Sequence, residues 1–252
     1  MASLAKVVLT FASCVATVAL LGAANAVSAA ETAAIPTFSA QQAGAVIKGW
    51  TYQPIRSVKL HSSYALVRDE QTNAVVIEGA ADSSAGALLY RFDADAHATP
   101  MLHFKWKVGN LLAHSDPKTK SGDDYAARIY VTFAHDPARE TLKERAENTV
   151  AKLLYNETPP HAALTYVFTH KASLNDVITS PFTQRVKMLV VDADPTSVGQ
   201  WKSFTRDVYE DYKRVFGEEP TRISGIAIMV DADNTHDKAS ARFGDISLSA
   251  KP

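Results

Sequence analysis

Cysteine is the residue that this sequence most clearly lacks. Its only cysteine, Cys14, lies within the apolar N-terminal stretch, so the rest of the chain has neither disulfide bonds nor thiol nucleophiles. A basic excess is missing as well, because 26 lysine and arginine residues are balanced by 27 aspartate and glutamate residues. This balance argues against the basic stripe that nucleic-acid-binding proteins carry, and we expect no nucleic-acid partner.

Motifs of the common enzyme classes are also absent. There is no Gly-x-Ser-x-Gly elbow, no His-Glu-x-x-His pair and no glycine-rich phosphate loop. The segment Asp231-x-Asp233-x-Thr235 begins like an EF-hand calcium loop. However, the sixth position is His236 instead of glycine and the twelfth is Arg242 instead of glutamate, which excludes an EF-hand.

The first thirty residues have the composition of a secretory signal peptide. Lys6 precedes the alanine-rich apolar stretch Val7–Ala24, and two small-x-small cleavage sites follow it. A membrane anchor is the alternative, but no basic stop-transfer residues follow the stretch. We therefore expect export and cleavage near Val27–Glu31. Residues 31–252 would then form one β-sandwich domain without a membrane anchor, in the bacterial periplasm or outside the cell.

Many short segments alternate apolar and polar residues, as half-buried β-strands do. In Met101–Val108, for example, every second residue is apolar. The run Arg222–Val230 is apolar almost throughout, which favours a strand buried on both faces. With Ala239–Leu248 it is interpreted as a central hairpin. Further strands are predicted at 63–68, 74–78, 87–92, 125–133, 164–170 and 185–192.

Other segments have helical spacing. A short helix is predicted from Ser39, its N-cap, to Lys48. Longer amphipathic helices are predicted at Pro137–Tyr155 and Trp201–Phe216, where apolar residues recur every three or four positions. Because the strands follow one another without regular βαβ alternation, we expect an all-β fold. It is an antiparallel β-sandwich or jelly roll with two inserted helices.

Several motifs occur in an order that resembles one known family. They are Trp106-Lys-Val108, Gly122–Phe133, Leu164–Phe168, Trp201 with Arg206–Tyr212, Phe216-Gly217, and Met229–Thr235 with Gly244-Asp-Ile246. Together they resemble the bacterial exported proteins known as domain of unknown function 3047 (DUF3047), over roughly residues 50–248. Phe168 departs from the family pattern, in which a tryptophan is expected. The resemblance implies a sandwich similar to lectin-like and galactose-binding jelly rolls, and it implies no activity.

Oxygen-bearing side chains cluster after the strand at 222–230. Asp231, Asp233 and Asn234 lie in the loop that follows it, and Asp245 lies on the returning strand. Calcium takes six to eight oxygen ligands, often from a loop and a neighbouring strand, so these four residues are a candidate calcium site. The alternative is that they stabilise the turn through hydrogen bonds to its backbone.

A second group surrounds the strand at 125–133 and is a candidate ligand site. Asp123 and Asp124 precede this strand, and Arg128 and Tyr130 share its polar face. Carboxylates accept hydrogen bonds from sugar hydroxyls and a guanidinium donates them. His103, on the polar face of another strand, is a further candidate contact. The alternative is an ion pair that fixes the loop onto the sheet.

Three functions remain open at this point. The first is glycan binding without catalysis, for which Trp50 is expected to be the tryptophan most free to stack on a sugar. The second is a carbohydrate-active hydrolase or lyase that uses Asp123, Asp124 and Arg128. The third is a structural envelope protein with bound calcium. If the strands at 125–133 and 222–230 are antiparallel neighbours, both acidic groups meet at one sheet edge.

Overall fold

The computed structural model describes residues 34–55, 57–141 and 160–252. In these residues, two β-sheets and one α-helix (α1, Val208–Phe216) are formed. The strands are β1 (Thr51–Pro54), β2 (Ser63–Arg68), β3 (Val75–Asp82), β4 (Gly86–Ala94), β5 (Met101–Val108), β6 (Arg128–Phe133), β7 (Ala162–Phe168), β8 (Val177–Thr179), β9 (Val186–Asp192), β10 (Trp201–Asp207), β11 (Ile223–Met229), β12 (Lys238–Phe243) and β13 (Ser247–Ser249). The predicted all-β sandwich is confirmed.

The larger sheet has seven strands in the order β1-β4-β11-β6-β7-β9-β8. Its neighbours are antiparallel except for β7 and β9, which are parallel. In the central pair, β6 and β11, Arg128 is registered with Met229. The beginning of β6 and the end of β11 therefore lie at one end of this sheet, which we call the Arg128 end.

The smaller sheet has the order β10-β5-β12-β3-β2, and β13 pairs with β5 beyond the end of β12. All of its pairs are antiparallel. Strands β2 and β3 form a hairpin whose turn begins at Asp69, where the backbone N–H of Asp69 donates to the carbonyl of Ala74 at 2.9 Å. The carboxylate of Asp69 accepts hydrogen bonds from Lys107 and Arg242, so this turn is tied to β5 and β12.

The core lies between the inner faces of the two sheets. Ile129 and Val131 of β6 and Ile226 and Ile228 of β11 are fully buried, as the sequence predicted. They belong to one apolar cluster with residues of the smaller sheet such as Trp106. Because the two layers share this cluster, burial of apolar surface stabilises the sandwich without any disulfide.

The helix predicted at Trp201–Phe216 is correct only in its second half. Its first seven residues form strand β10, which pairs antiparallel with β5 along its whole length. Helix α1 begins after Asp207, whose carboxylate accepts a hydrogen bond from a backbone N–H of the first turn. The spacing misled the prediction because Phe204 and Val208 are four residues apart, a distance that fits one face of a strand as well as one stripe of a helix.

The short helix predicted from Ser39 to Lys48 is wrong, because these residues form turns. Gly44 has a left-handed φ of 77°, and Ser39 is held by the carboxylate of Asp245. Of the helix predicted at Pro137–Tyr155, residues 142–155 lie outside the described residues, as do the first thirty residues of the predicted signal peptide. No helix of the described part of the chain is long and apolar enough to cross a bilayer.

The predicted hairpin of β11 and β12 is also wrong. Strand β11 lies in the larger sheet and β12 in the smaller one, so the loop between them passes from one layer to the other. Alternating polarity identifies the buried face of each strand but not its neighbour in the sheet. The predicted strand Ala239–Leu248 is interrupted at Gly244–Ile246 and forms two strands, β12 and β13.

Candidate functional site

The Arg128 end brings both predicted acidic groups together. Arg128 donates from Nε to Oδ1 of Asp231 at 2.8 Å and from Nη2 to Oδ2 of the same carboxylate. Its Nη2 also donates to the carbonyl of Asp123 at 2.6 Å, and its guanidinium lies 4.3 Å from the centre of the Tyr125 ring. Arg128 is only 4% exposed and Asp231 only 1%. This is a buried ion pair with two-point geometry.

Asp124 stabilises the loop that follows β11. Its Oδ1 accepts hydrogen bonds from the backbone N–H and the side-chain amide of Asn234, at 3.2 and 3.1 Å. Its Oδ2 accepts from the backbone N–H and the hydroxyl of Thr235, at 2.7 and 2.6 Å. Asp124 therefore fixes the turn through hydrogen bonds. The ion pair given above as the alternative to a ligand site is formed by Arg128 with Asp123 and Asp231 instead.

Burial is the largest influence on the pKa values of the Asp231 and Asp123 carboxyl groups. Burial raises the pKa of Asp231 to about 7, and the opposing attraction of Arg128 does not restore the ordinary value. Burial likewise raises the pKa of Asp123. Desolvation lowers the pKa of Arg128, but the charge of Asp231 raises it further, so the guanidinium stays charged.

The donors of this cluster do not fit a calcium ion. Asp124, Asp231 and Asp233 each place one oxygen within 4.8 Å of the others. However, both oxygens of Asp124 and of Asp231 already accept hydrogen bonds from protein N–H or O–H groups. Calcium takes six to eight oxygen ligands, and here the charged guanidinium of Arg128, bonded to Asp231, offsets the carboxylates in place of a cation.

Two of the residues singled out in the sequence lie elsewhere. Asp245 lies beyond the far end of β12 from the loop, where its Oδ1 accepts from the backbone N–H of Phe38 at 2.7 Å. His103 lies on the smaller sheet, with its ring nitrogens 3.1 Å from the Thr205 hydroxyl and 2.9 Å from the Ser249 hydroxyl. Neither residue contacts the Arg128 end.

Burial also bears on the alternative of a hydrolase or lyase at this end. Asp123 and Asp124 are 5% and 1% exposed, so a bound saccharide cannot reach their oxygens without moving the loop. Tyr130 is half-buried, two residues along β6 from Arg128, and its hydroxyl lies 3.8 Å from the sulfur of Met229. The Arg128 end is thus built to hold a loop on the sheet.

Cross-strand register creates a different site on the outer face of the smaller sheet. Ser63 of β2 pairs with Ala80 of β3, which pairs in turn with Ser240 of β12, so three small side chains form one row. The next row holds Lys238 and Asp82, which are long, exposed and joined at 2.8 Å. A row of small side chains beside longer ones makes a depression of about 730 Å³. We call it the trough.

A second cavity adjoins the trough on its other side. Lys107, Arg242 and Glu78 form the next cross-strand row, and Glu78 accepts from Nε of Arg242 at 2.9 Å. These residues, with Gly109 and Ser240, line a cavity of about 340 Å³. Ser240 lines both cavities, and a side chain at Gly109 would collide with its hydroxyl.

Asp69, in the turn between β2 and β3, binds two side chains of this row, Lys107 and Arg242. It is fully buried, its Oδ2 accepts hydrogen bonds from Lys107 and from Arg242 (2.9 Å), and its Oδ1 accepts from the indole N–H of Trp201 at 3.0 Å. Burial by itself raises the pKa of Asp69, but these three donors lower it more, to well below the ordinary value. The ionised carboxylate therefore fixes three side chains of the outer face.

The tryptophans reverse what their sequence context suggested. Trp50, expected to be free, is 6% exposed and donates its indole N–H to the carbonyl of Pro36 at 3.1 Å. Trp201, assigned to an apolar stripe, is half-buried at the surface beside Lys107. The ammonium groups of Lys105 and Lys107 lie 5.4 and 5.3 Å from the centre of its ring.

Sequence reasoning missed the trough because strand order was unknown. The alternation in Lys238–Phe243 shows that Lys238, Ser240 and Arg242 face outwards. It does not show that β12 lies between β3 and β5, which is what aligns Ser240 with Ala80. The small polar residues at outward positions were the one available signal.

Solved structures of similar fold exist. The family 11 carbohydrate-binding module of the cellulosomal cellulase Lic26A-Cel5E of Clostridium thermocellum matches 86% of this chain and 96% of the module, with 12% identity and a TM-score of 0.41. A family 11 module of the same organism in complex with a β-1,3-1,4-mixed-linked tetrasaccharide matches 83% and 94%, with 11% identity and a TM-score of 0.40. The arabinose-bound α-L-arabinofuranosidase MgGH51 matches 87% of this chain and 26% of its own, with 9% identity and a TM-score of 0.42. Likeness at this level carries no information on a ligand.

The sequence itself identifies the family. No curated protein matches the chain. The family described as "Protein of unknown function (DUF3047)" matches residues 48–247, which is most of the chain and includes the motifs from Trp106 to Ile246. The predicted resemblance is confirmed, and the chain belongs to the DUF3047 family.

Proposed function

We propose that this protein is an exported glycan-binding protein and that it binds through the trough on the outer face of the smaller sheet. The observation that carries the proposal is the trough itself, an open depression of about 730 Å³ with a floor of small side chains and polar walls. Ligand sites of proteins usually measure about 300–1,000 Å³ and place a few polar groups around an apolar surface.

The polar side chains that line the trough can form hydrogen bonds with the hydroxyl groups of a sugar. Asp82 offers acceptors, Lys238 offers donors, and the exposed hydroxyl of Ser63 offers both. Sugars present hydroxyls of both kinds around a ring with apolar C–H faces. The methyl group of Ala80 in the floor gives such a face a surface to lie on, while Asp82 and Lys238 contact the hydroxyls.

The spacing of the carboxylates favours binding over hydrolysis. Glu78 and Asp82 are the acidic residues of β3 that line the two cavities, and they are four residues apart on one strand face. Four residues of a strand place their Cα atoms about 13 Å apart. Glycoside hydrolysis needs two carboxyl groups about 5–9.5 Å apart. In addition, each already pairs with a cation, Glu78 with Arg242 and Asp82 with Lys238.

Binding is tested by filling the trough. Ala80→Tyr places a ring in the floor of the trough at an exposed strand position that tolerates aromatic residues. Val177→Tyr is the matched control, because Val177 is an exposed strand residue of β8 in the larger sheet, away from the trough. Isothermal titration calorimetry with cellohexaose, xylohexaose and mannohexaose is the measurement. We expect at least one to bind the wild type and the control but not Ala80→Tyr.

The opposite outcomes are equally clear. If none of the three oligosaccharides binds the wild type, or if Ala80→Tyr binds as tightly as Val177→Tyr, the trough is not the site. Melting curves of both variants establish that they fold. If a hexasaccharide is cleaved during the titration, the protein is a carbohydrate-active enzyme instead of a binding protein.

Export is the part of the proposal that rests on sequence alone. The basic Lys6, the alanine-rich stretch and the cleavage sites support it. Mass spectrometry of the protein from a periplasmic fraction should give an N-terminus between Val27 and Glu31. An intact Met1 on the protein in that fraction contradicts cleavage.

A further inference from the structure

We propose that the trough and the second cavity form one extended site for an internal stretch of a neutral oligosaccharide, with the ring of Trp201 as its terminal stacking surface. This inference rests on the proposed function. It adds the class of ligand, its minimum length and a residue that determines affinity.

The two cavities are continuous across the sheet. Ser240 lines both of them, and the rows on either side of it both contain residues of β3 and β12. From Ser63 to Trp201, the outer face crosses five adjacent strands in the order β2, β3, β12, β5 and β10. At about 4.8 Å per strand spacing, this is a path of about 19 Å. A path of that length accommodates several sugar rings and leaves a monosaccharide or disaccharide in contact with only part of it.

Trp201 is held in place before any ligand arrives. Its indole N–H donates to Asp69, which is fully buried and also holds Lys107 and Arg242. A ring that is already fixed loses little conformational entropy when a ligand stacks on it. The ammonium groups of Lys105 and Lys107 lie over the ring, and because Lys107 is bonded to Asp69, Lys105 is the donor that we propose for a hydroxyl of the stacked sugar.

The charges along the path favour a neutral ligand. The cations Lys107, Arg242 and Lys238 are each paired with a carboxylate. With Lys105, which lies by Trp201, these four cations balance Asp69, Glu70, Glu78 and Asp82, so the formal charge along the path is 4 − 4 = 0. A uronic acid or a sulfated sugar would find no net positive charge here, and three of the four cations already bind a carboxylate.

A length series tests the inference. Calorimetry compares the disaccharide, tetrasaccharide and hexasaccharide of whichever neutral series binds, for the wild type, Trp201→Ala and Trp201→Phe. We expect affinity to rise with length. We expect Trp201→Ala to weaken the hexasaccharide about tenfold, the effect of losing one aromatic contact, and the disaccharide less than twofold. Trp201→Phe keeps a ring and should retain most of the affinity. Polygalacturonate should not bind.

The possible failures can be told apart. If no saccharide binds the wild type, the proposed function itself is wrong. If the hexasaccharide binds but no more tightly than the disaccharide, and Trp201→Ala binds like the wild type, the trough is a site but the extension to Trp201 is wrong. Tighter binding of polygalacturonate than of the neutral hexasaccharide contradicts the assigned ligand class. If Trp201→Ala loses all binding and has a lowered melting temperature, Trp201→Leu, which keeps apolar bulk without a ring, decides. Weaker binding of the hexasaccharide alone by Trp201→Leu supports the extension, and unchanged binding opposes it.

Discussion

Replacing Arg128 by methionine should expose the role of the ion pair at the Arg128 end. Arg128 is 4% exposed and Asp231 1%, so the substitution leaves a buried carboxylate without its cation. Removing one partner of such a buried pair costs about 3–5 kcal/mol of unfolding free energy. For a domain of this size, each kcal/mol lowers the melting temperature by about 2–4 °C, so we expect a decrease of about 6–20 °C at pH 8.

The same substitution should cost less in acid. Because burial raises the pKa of Asp231 to about 7, its ionisation opposes folding, and the stability contributed by the protonated form is lost as pH rises from about 4 through 7. At pH 5 the carboxyl is protonated in the folded wild type and in the variant, so the lost cation matters less. We expect the difference in unfolding free energy at pH 5 to be about half or less of that at pH 8.

Urea denaturation of Arg128→Met at both pH values is the assay. Arg222→Met is the matched control, because Arg222 pairs with Asp93 at 2.5 Å but the two side chains are 53% and 71% exposed. An exposed pair contributes about 0–1 kcal/mol at either pH. A cost for Arg128→Met no larger than that of the control, or an equal cost at pH 5 and pH 8, would refute the reasoning.

Three further predictions concern the ion, the turn and the core. Adding EDTA to the protein as purified should leave its melting temperature unchanged, because the oxygens of Asp124 and Asp231 are already bonded; a decrease reversed by calcium would show a bound ion. The pKa of Asp69 lies well below its ordinary value, so the stability that its ionised carboxylate contributes is present above about pH 4 and declines progressively as pH falls below it. Asp69→Asn should therefore lower the free energy of unfolding by about 1.5–3 kcal/mol at pH 7 and by less at pH 2, measured by urea denaturation, and an equal loss at both would contradict this. Ile228→Ala should cost about 2–5 kcal/mol in the same assay, and an unchanged midpoint would exclude the core position assigned to it.

The sequence predicted individual strands better than their neighbours. Ser63–Arg68 and Met101–Val108 have the predicted bounds, since their alternation is regular and polar turns flank them. The pairing of β11 with β12 was wrong because a strand buried on both faces carries no mark of the sheet it joins. Trp201–Asp207 was misassigned because its apolar spacing of four fits a helix as well.

The candidate site shows the same limit in more detail. The sequence predicted that the residues before β6 and after β11 meet at one end of the sheet. This prediction needed only the assumption that β6 and β11 pair antiparallel, and they do. Burial could not be inferred, because whether Asp123 faces solvent depends on how the preceding loop covers the sheet. The floor of the trough consists of Ser63, Ala80 and Ser240, which lie on three different strands. A local sequence pattern cannot predict that residues so distant in sequence lie side by side.

The hydrogen bonds that Phe38 and Ser39 donate to Asp245 have a consequence for the order in which the chain folds. Residues near the beginning and end of the sandwich meet there, with the N–H of Phe38 and the carboxylate of Asp245 separated by 207 positions but only 2.7 Å apart. Most contacts of the described residues join positions distant in sequence, and a fold of this kind forms slowly. The contact with Asp245 cannot form until Asp245 has left the ribosome. If the chain is exported as proposed, a sandwich that cannot close early remains open to a transport system.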